Sequence, residues 1–513
     1  MEIVKDILKV DQLKGYEEIE SLIETEIYLN QTKPDIENIL WADGKAEILN
    51  TKIIKDKIIV NGLVKFKVVY KSNEEDLNIY TLETNSDFRE EIEIQGITEE
   101  MTVEVKSKLE YIEYDLKDER KVDLKGFINL SGKVEQINLV EIIKEVKEGQ
   151  NLQLLKERIK YNDILAKEDS YALIKEAFEV GEGQPPVEEI LKIDMNPYEK
   201  EFSISADRII VSGIVECSII YFGGNKLNSI KKEIPFTHFL EIEGLDQDSK
   251  CQLNMEVVNG EYELRESIEG DLEIIDLEIK VKILGKVYEQ KEKEVIIDAY
   301  STSNKMDLQT EEISLIENIR DIIDREKILK EIKGKGFKEI YAIEGKSNII
   351  NSQYVEDKIM IEGILSLNIY YLEDIKDEIT TLREEIPFKS YVTTEELGRD
   401  VIINVETKLE ELKYSLKDDS LTIDGTIKNH IFMNRERKIN IINEIAETDE
   451  IIDRKDRPSI IVYIVQKGDV LWDISKRYNT TVEEIILANN ITSPSTLMPG
   501  EKIIIEKKVN IDF

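Results

Sequence analysis

The residues that most often carry enzymatic chemistry are scarce in this chain of 513 residues. It has two histidines and two cysteines, which leaves almost no material for a catalytic triad or a zinc site. Gly345-Lys346-Ser347 matches the end of a phosphate-binding loop, but Ile340 stands where that motif requires its first glycine. We therefore predict no catalytic residue, no metal site, no cofactor and no enzymatic activity.

The charge balance argues against several kinds of partner. The chain carries 69 Lys and Arg against 108 Asp and Glu, a net charge of −39, and such a field repels nucleic acid. Hydrophobic residues make up 41%, enough for packed cores, so we do not expect disorder.

The longest apolar run has six residues, 460–465, and the start of the chain lacks a signal-peptide pattern. We expect neither membrane insertion nor secretion, and a reducing, cytosolic compartment.

A long internal repeat organises most of the chain. The segment Asp-Lys-Ile-Ile-Val-Asn-Gly that ends at Gly62 returns in similar form at Gly213 and at Gly363, after intervals of 151 and 150 residues. Matching positions before and after these glycines keep their spacing, so the chain contains three copies of one domain-sized unit. We expect each copy to fold independently.

The residues after each repeated glycine alternate between apolar and polar types, which predicts a half-buried β-strand. The apolar face of this strand in the first copy is Val64, Phe66, Val68 and Tyr70. The prediction is three mainly β units of layered antiparallel sheet, at residues 15–150, 166–302 and 316–446. The segment 315–323 has helix-like spacing, and both helix and strand stay open for it.

The repeat also accounts for the two cysteines. Cys217 aligns with Phe66 and Leu367 of the sister copies, and Cys251 likewise aligns with apolar residues. Both are therefore predicted to be small buried hydrophobes and not reactive thiols.

A polar linker at residues 447–460 precedes a tail of different character, residues 461–508. The tail predicts a strand, a first helix capped by Asp469, a second helix that begins with a capping box at Thr481, and a closing strand after the turn at Pro499-Gly500. This order describes a small α+β domain of the βααβ type.

The tail closely resembles a LysM domain. The matching stretches are residues 462–475, 478–485, 489–490 and 497–503. The resemblance implies a binding groove beside the first helix, and its residues in this chain are Asp469, Val470, Leu471, Trp472, Asn490, Ile491, Leu497, Met498 and Pro499.

One groove position departs from the glycan-binding members of that family. Val470 stands where they usually carry a threonine, so a hydroxyl that could grip a sugar is replaced by an apolar rim with Leu471 and Trp472. We expect a protein contact in place of a glycan contact, with Trp472 as its anchor. Leu471, together with Ile474 and Ile485, is also predicted to belong to the small core.

The repeats resemble the SPOCS domain family of spore-coat-associated proteins, on the start at Pro34 and on the strand motif from Asp56 to Tyr70. With a LysM domain, this resemblance implies a non-enzymatic scaffold that docks on stage IV sporulation protein A, the ATPase of the coat basement layer. It places that scaffold in the mother-cell cytoplasm at the forespore surface, in the spore coat, with other coat proteins as further partners. The alternative is a protein that binds peptidoglycan or another aminosugar polymer through the same groove.

Overall fold

The computed structural model describes residues 2–73, 79–147, 151–181, 183–246, 249–268, 270–395, 401–453, 458–491 and 497–506. The ends of the predicted first unit (148–150) and LysM domain (507–508), and linker residues 454–457, lie outside them. Three similar units of six strands each are followed by a small α+β domain.

The first unit consists of β1 (Glu2–Tyr28), β2 (Ile36–Ile54), β3 (Lys57–Ser72), β4 (Ile79–Glu93), β5 (Thr102–Asp118) and β6 (Lys121–Lys147). The second consists of β7 (Leu152–Glu179), β8 (Glu189–Ser205), β9 (Arg208–Gly223), β10 (Lys226–Glu241), β11 (Lys250–Glu266) and β12 (Leu272–Ser301). The third consists of β13 (Asn304–Lys333), β14 (Phe337–Val355), β15 (Lys358–Glu373), β16 (Glu378–Thr393), β17 (Val401–Lys417) and β18 (Ser420–Ile451). The small domain has β19 (Ile460–Ile464), α1 (Leu471–Arg477), α2 (Val482–Asn489) and β20 (Lys502–Glu506).

Each unit is a sandwich of two antiparallel three-stranded sheets. In the first unit the sheet orders are β1-β6-β5 and β2-β3-β4, and the other two units repeat this topology. The apolar face predicted after Gly62 is fully buried between the two sheets, as are its counterparts after Gly213 and Gly363. The predicted fold class, three mainly β units and a βααβ domain, is therefore confirmed.

The long outer strands begin before the predicted unit boundaries, at Glu2, Leu152 and Asn304. The start of β1 pairs with the end of β6, with Glu2 opposite Lys147, so each unit closes on itself through these extensions. The segment 315–323, which could be helix or strand by its spacing, lies within β13 and is paired with β18. At its other end, β18 continues to Ile451, inside the predicted linker.

The repeated glycines lie where the neighbouring strand places a phenylalanine ring. The pairs that face each other in register are Gly62 and Phe88, Gly213 and Phe236, and Gly363 and Phe388. A Cβ atom at any of the three glycines would be 2.4 Å from the Cζ atom of that ring. The absence of a side chain therefore lets the ring cover the central strand, which fixes the register of the sheet.

The two cysteines follow the repeat alignment. Cys217 is fully buried in the core of the second unit, as predicted, and Cys251 is half-buried and packs against that core. Val103 and Ile403 pack in the same way against the cores of the first and third units. Burial raises the pKa of both thiols to about 12, so neither carries thiolate at neutral pH.

The three units pack against one another, a question that the repeat pitch leaves open. The residue seven positions after each repeated glycine faces away from the core of its own unit, and Val69, Ile220 and Tyr370 meet there in one buried cluster. A second buried cluster joins Leu8 and Val140 of the first unit, Ile159 and Val295 of the second, and Leu315 and Ile441 of the third. Apolar surface of all three units is therefore removed from water by the other units.

A buried ion cluster accompanies the first of these shared clusters. Lys192 of β8 places its Nζ atom 2.9 Å from Asp43 of the first unit, 2.8 Å from Glu344 of the third and 3.1 Å from Asp194 of its own. The three carboxylates occupy equivalent positions, four residues after Ile39, Ile190 and Ile340. Burial raises the pKa of Glu344 and outweighs the attraction of Lys192, because one ammonium faces three acids.

The glycine and phenylalanine pairs predict a cost for any added side chain. Replacing Gly213 by alanine forces a Cβ atom into the Phe236 ring, and overpacking of this kind destabilises by about 1–3 kcal/mol. Gly181→Ala is the matched control, because a Cβ atom there meets nothing within 4 Å. Thermal melts followed by circular dichroism should show a lower melting temperature for Gly213→Ala than for Gly181→Ala. Equal melting temperatures would contradict the packing argument.

Candidate partner-binding site on the small domain

The small domain has the predicted element order. β19 pairs with β20 antiparallel, and both helices cover one face of this two-stranded sheet. Its core consists of Val465, Leu471, Ile474, Ile485, Ile503 and Ile505. The predictions for Leu471, Ile474 and Ile485 as core residues are confirmed.

The two helices begin differently. The capping box of α2 is present, because the Thr481 hydroxyl accepts a hydrogen bond from the backbone N–H of Glu484 at 3.1 Å, and the Glu484 carboxylate accepts one from the N–H of Thr481 at 3.2 Å. For α1 the prediction was wrong: Val470 is its N-cap residue, and no side chain caps this helix. Asp469 instead accepts hydrogen bonds from the Gln466 N–H at 2.8 Å and the Tyr463 hydroxyl at 2.6 Å. Its carboxylate closes the turn after β19, one residue before the position from which it could cap α1.

The nine predicted groove residues separate into three groups. Leu471, Ile491 and Leu497 contribute to the core of the domain. Four residues are exposed to solvent: Val470 at 52%, Met498 at 70%, and also Asn490 and Pro499. The remaining two, Asp469 and Trp472, have polar partners inside the chain.

Trp472 lies against the second unit. Its indole Nε1 donates a hydrogen bond to the Asp298 carboxylate at 2.7 Å, and Asp298 also accepts from the Lys476 ammonium at 2.6 Å. The Trp472 ring meets the Tyr300 ring edge-on, with centroids 4.9 Å apart and planes at 70°. The side chain predicted to anchor a partner therefore joins the small domain to β12.

Tyr300 completes this contact. Its hydroxyl lies 2.7 Å from the carbonyl oxygen of Thr480 and 2.8 Å from the Ser475 hydroxyl, and both residues are buried. Burial raises the pKa of Tyr300 to about 12, so this hydroxyl keeps its proton and can donate. We name the set Asp298, Tyr300, Trp472, Ser475, Lys476 and Thr480 the docking contact.

Sequence reasoning missed Asp298 and Tyr300. One aspartate among 108 acidic residues cannot be singled out from the sequence, and a tyrosine near the end of a strand, such as Tyr300, is equally common. The contact depends on how the chain folds back after β18, which local spacing does not specify.

Within the described part of the chain, no group of three His, Cys, Asp or Glu side chains is arranged to hold a metal ion. No helix among the described residues has the length and apolarity needed to cross a membrane.

Comparison with known proteins assigns the units to families. The family model described as "SipL, SPOCS domain" matches residues 35–117, 186–265 and 337–417, once in each unit, and the LysM domain model matches residues 463–506. The chain is a SipL-like protein. The three SPOCS matches cover the second to fifth strands of each unit, so the long first and last strands, which form much of the shared packing, lie outside them.

A curated relative is similar over a short stretch. SpoIVD-associated factor A of Bacillus subtilis (strain 168) is 46% identical to this chain over 43 residues, which are 8% of this chain and 11% of that protein. The chain therefore spans about a tenth of that relative's length. No solved structure matches this SipL-like chain.

The docking contact predicts a change in the environment of Trp472. Asp298→Ala removes the acceptor for the indole N–H and the counter-ion of Lys476, so Trp472 should become more accessible to acrylamide quenching of its fluorescence. Trp41, the other tryptophan, is buried between the units and contributes a constant background. Asp276→Ala is the control, because Asp276 lies on the same strand but pairs with Arg265. Equal quenching in wild type and Asp298→Ala would contradict the contact.

Proposed function

We propose that this chain is a non-enzymatic scaffold of spore-coat assembly, which acts at the forespore surface and docks through its LysM domain on stage IV sporulation protein A. The combination of three SPOCS domains with a C-terminal LysM domain supports this role, since both are families of binding domains. The name of the relative, a factor associated with SpoIVD, further supports a role in sporulation.

The observation that carries the choice of a protein partner is the exposure of two apolar residues of the predicted groove, Val470 and Met498, which from here on are called the rim. Val470 and Met498 are more than half exposed, whereas Leu471 and Leu497 beside them in the chain belong to the core. Exposed apolar side chains next to a packed support are typical of protein interfaces. A valine at this position also offers a sugar neither a donor nor an acceptor.

The docking contact limits which part of the groove a partner can reach. The indole N–H of Trp472 already donates to Asp298, so in this arrangement we expect a partner to contact Val470 and Met498 instead. A second apolar surface lies on the outer face of the sheet, where Ile460, Val462, Ile464 and Ile504 are exposed. The two surfaces can be separated by variants.

Charged substitutions on the rim should abolish most of the partner contact. We expect Val470→Asp and Met498→Asp in the full chain to weaken binding to purified stage IV sporulation protein A by about thirtyfold, the effect of losing about 2 kcal/mol at an interface anchor. Leu487→Asp is the matched control, because Leu487 is an exposed apolar residue on α2, away from the rim residues in sequence. Binding can be measured by surface plasmon resonance.

Two results would contradict this proposal. If Val462→Asp abolished binding while the rim variants bound normally, the docking surface would be the sheet face and not the groove. If the wild-type chain bound insoluble peptidoglycan at micromolar affinity and left the ATPase unbound, the alternative function, binding of an aminosugar polymer, would replace the scaffold.

A further inference from the structure

A cationic cavity lies at the boundary between the second and third units of this very acidic chain. It has a volume of about 340 Å³ and is lined by three strands, β7, β13 and β18. Four of its seven lining residues are basic, and the full set is Arg158, Ile159, Lys160, Leu315, Glu317, Arg435 and Arg437. We name it the basic cavity.

Each of the four cations lies close to a carboxylate. Lys160 lies 3.0 Å from Glu292, Arg435 lies 3.4 Å from Glu317, and Arg437 pairs with Glu157 across the unit boundary. The nearest carboxylate to Arg158 is the same Glu292, at 4.0 Å. Arg158 and Lys160 thus share one carboxylate, and their side chains are 70% and 53% exposed.

The spacing of these cations matches an extended chain. Arg158 and Lys160 are two residues apart on β7, and Arg435 and Arg437 are two residues apart on β18. Side chains at such positions lie on one face of a strand, about 6.6–6.8 Å apart. Alternate carboxylates of an extended peptide have the same period. Ile159 and Leu315, which also line the cavity, are buried.

We propose that the basic cavity is a docking site for an extended, acidic peptide segment of a partner protein, with carboxylates at alternate positions. Two separated rows of cations suit carboxylates spread along a strand better than one compact anion, on which donors would have to converge. A nucleic acid is disfavoured, since it must approach a chain of net charge −39 with only four cations to meet it. The site is separate from the LysM groove, so the proposal does not depend on the partner proposed above.

Part of the basic cavity also has a structural role, so the test variants must leave that part unchanged. Arg437 joins the third unit to Glu157 of the second, so replacing it could disturb the unit boundary. Arg158 and Lys160 both pair with Glu292 of β12, which belongs to their own unit, and the Arg158 pair is the weaker of the two. The double variant Arg158→Gln/Lys160→Gln therefore removes two cations and leaves the boundary pair in place.

The test uses the full chain and synthetic peptides in fluorescence anisotropy. The probe is a labelled decapeptide of alternating Glu and Thr, and its partner is a peptide of the same composition with the glutamates contiguous. The measurement is made at about 0.1 M salt, where charges farther than about 10 Å are screened and the local cations dominate. The control variant is Lys125→Gln/Lys175→Gln, which removes two exposed lysines paired within their sheets.

We expect the alternating peptide to bind the wild type and the control equally, and the double variant about fivefold to tenfold more weakly, the effect of losing two partly exposed ion pairs. The contiguous peptide should bind more weakly than the alternating one. Unchanged binding by the double variant, or no binding by the wild type, would overturn the proposal. Equal binding of both peptides, or displacement by equimolar pyrophosphate, would also overturn it and reassign the cavity to small or unordered anions.

Discussion

The burial of apolar side chains of the three units against one another is the constraint on which the rest of the structure depends. Each sandwich already has its own core, yet Val69, Ile220 and Tyr370 lie outside those cores and are buried only because the three units meet. The second shared cluster buries apolar side chains of the long first and last strands of the units in the same way. A single unit removed from the others would expose these side chains to water, and each would lose on the order of 2 kcal/mol of burial.

The buried charges at the unit boundaries fit a role in specificity more than in stability. A buried ion pair seldom stabilises a fold relative to apolar residues, because desolvation offsets the attraction. The Lys192 ammonium can form ion pairs with carboxylates of all three units only if β2, β8 and β14 meet at one point. The Glu135 carboxylate of the first unit forms an ion pair with the Lys167 ammonium of the second, at 2.6 Å. Burial would raise its pKa, but Lys286, Lys133 and Lys167 outweigh burial and lower it to about 2.

The elements of the fold could be predicted from the sequence, and the arrangement of the units could not. Alternation after Gly62 identified the buried face of β3, and the tail spacing identified the βααβ order, because both signals are local. The shared packing left a weaker trace. In each unit the alternation ends in a continuous apolar run, such as Ile219-Ile220-Tyr221-Phe222, and such a run is typical of a strand buried on both faces. The docking contact left no trace in the sequence. Trp472 contacts Asp298 and Tyr300, which precede it in the chain by 174 and 172 residues.

The most direct test of the account is calorimetry of the full chain with one shared residue truncated. Leu191 of β8 is fully buried in the cluster that joins all three units, and its truncation to alanine should cost about 2–5 kcal/mol. If the units depend on one another, Leu191→Ala should move the whole unfolding endotherm of the three units to lower temperature as one transition. If only about a third of the enthalpy moved and the rest melted as in the wild type, the units would be independent and the account would be wrong.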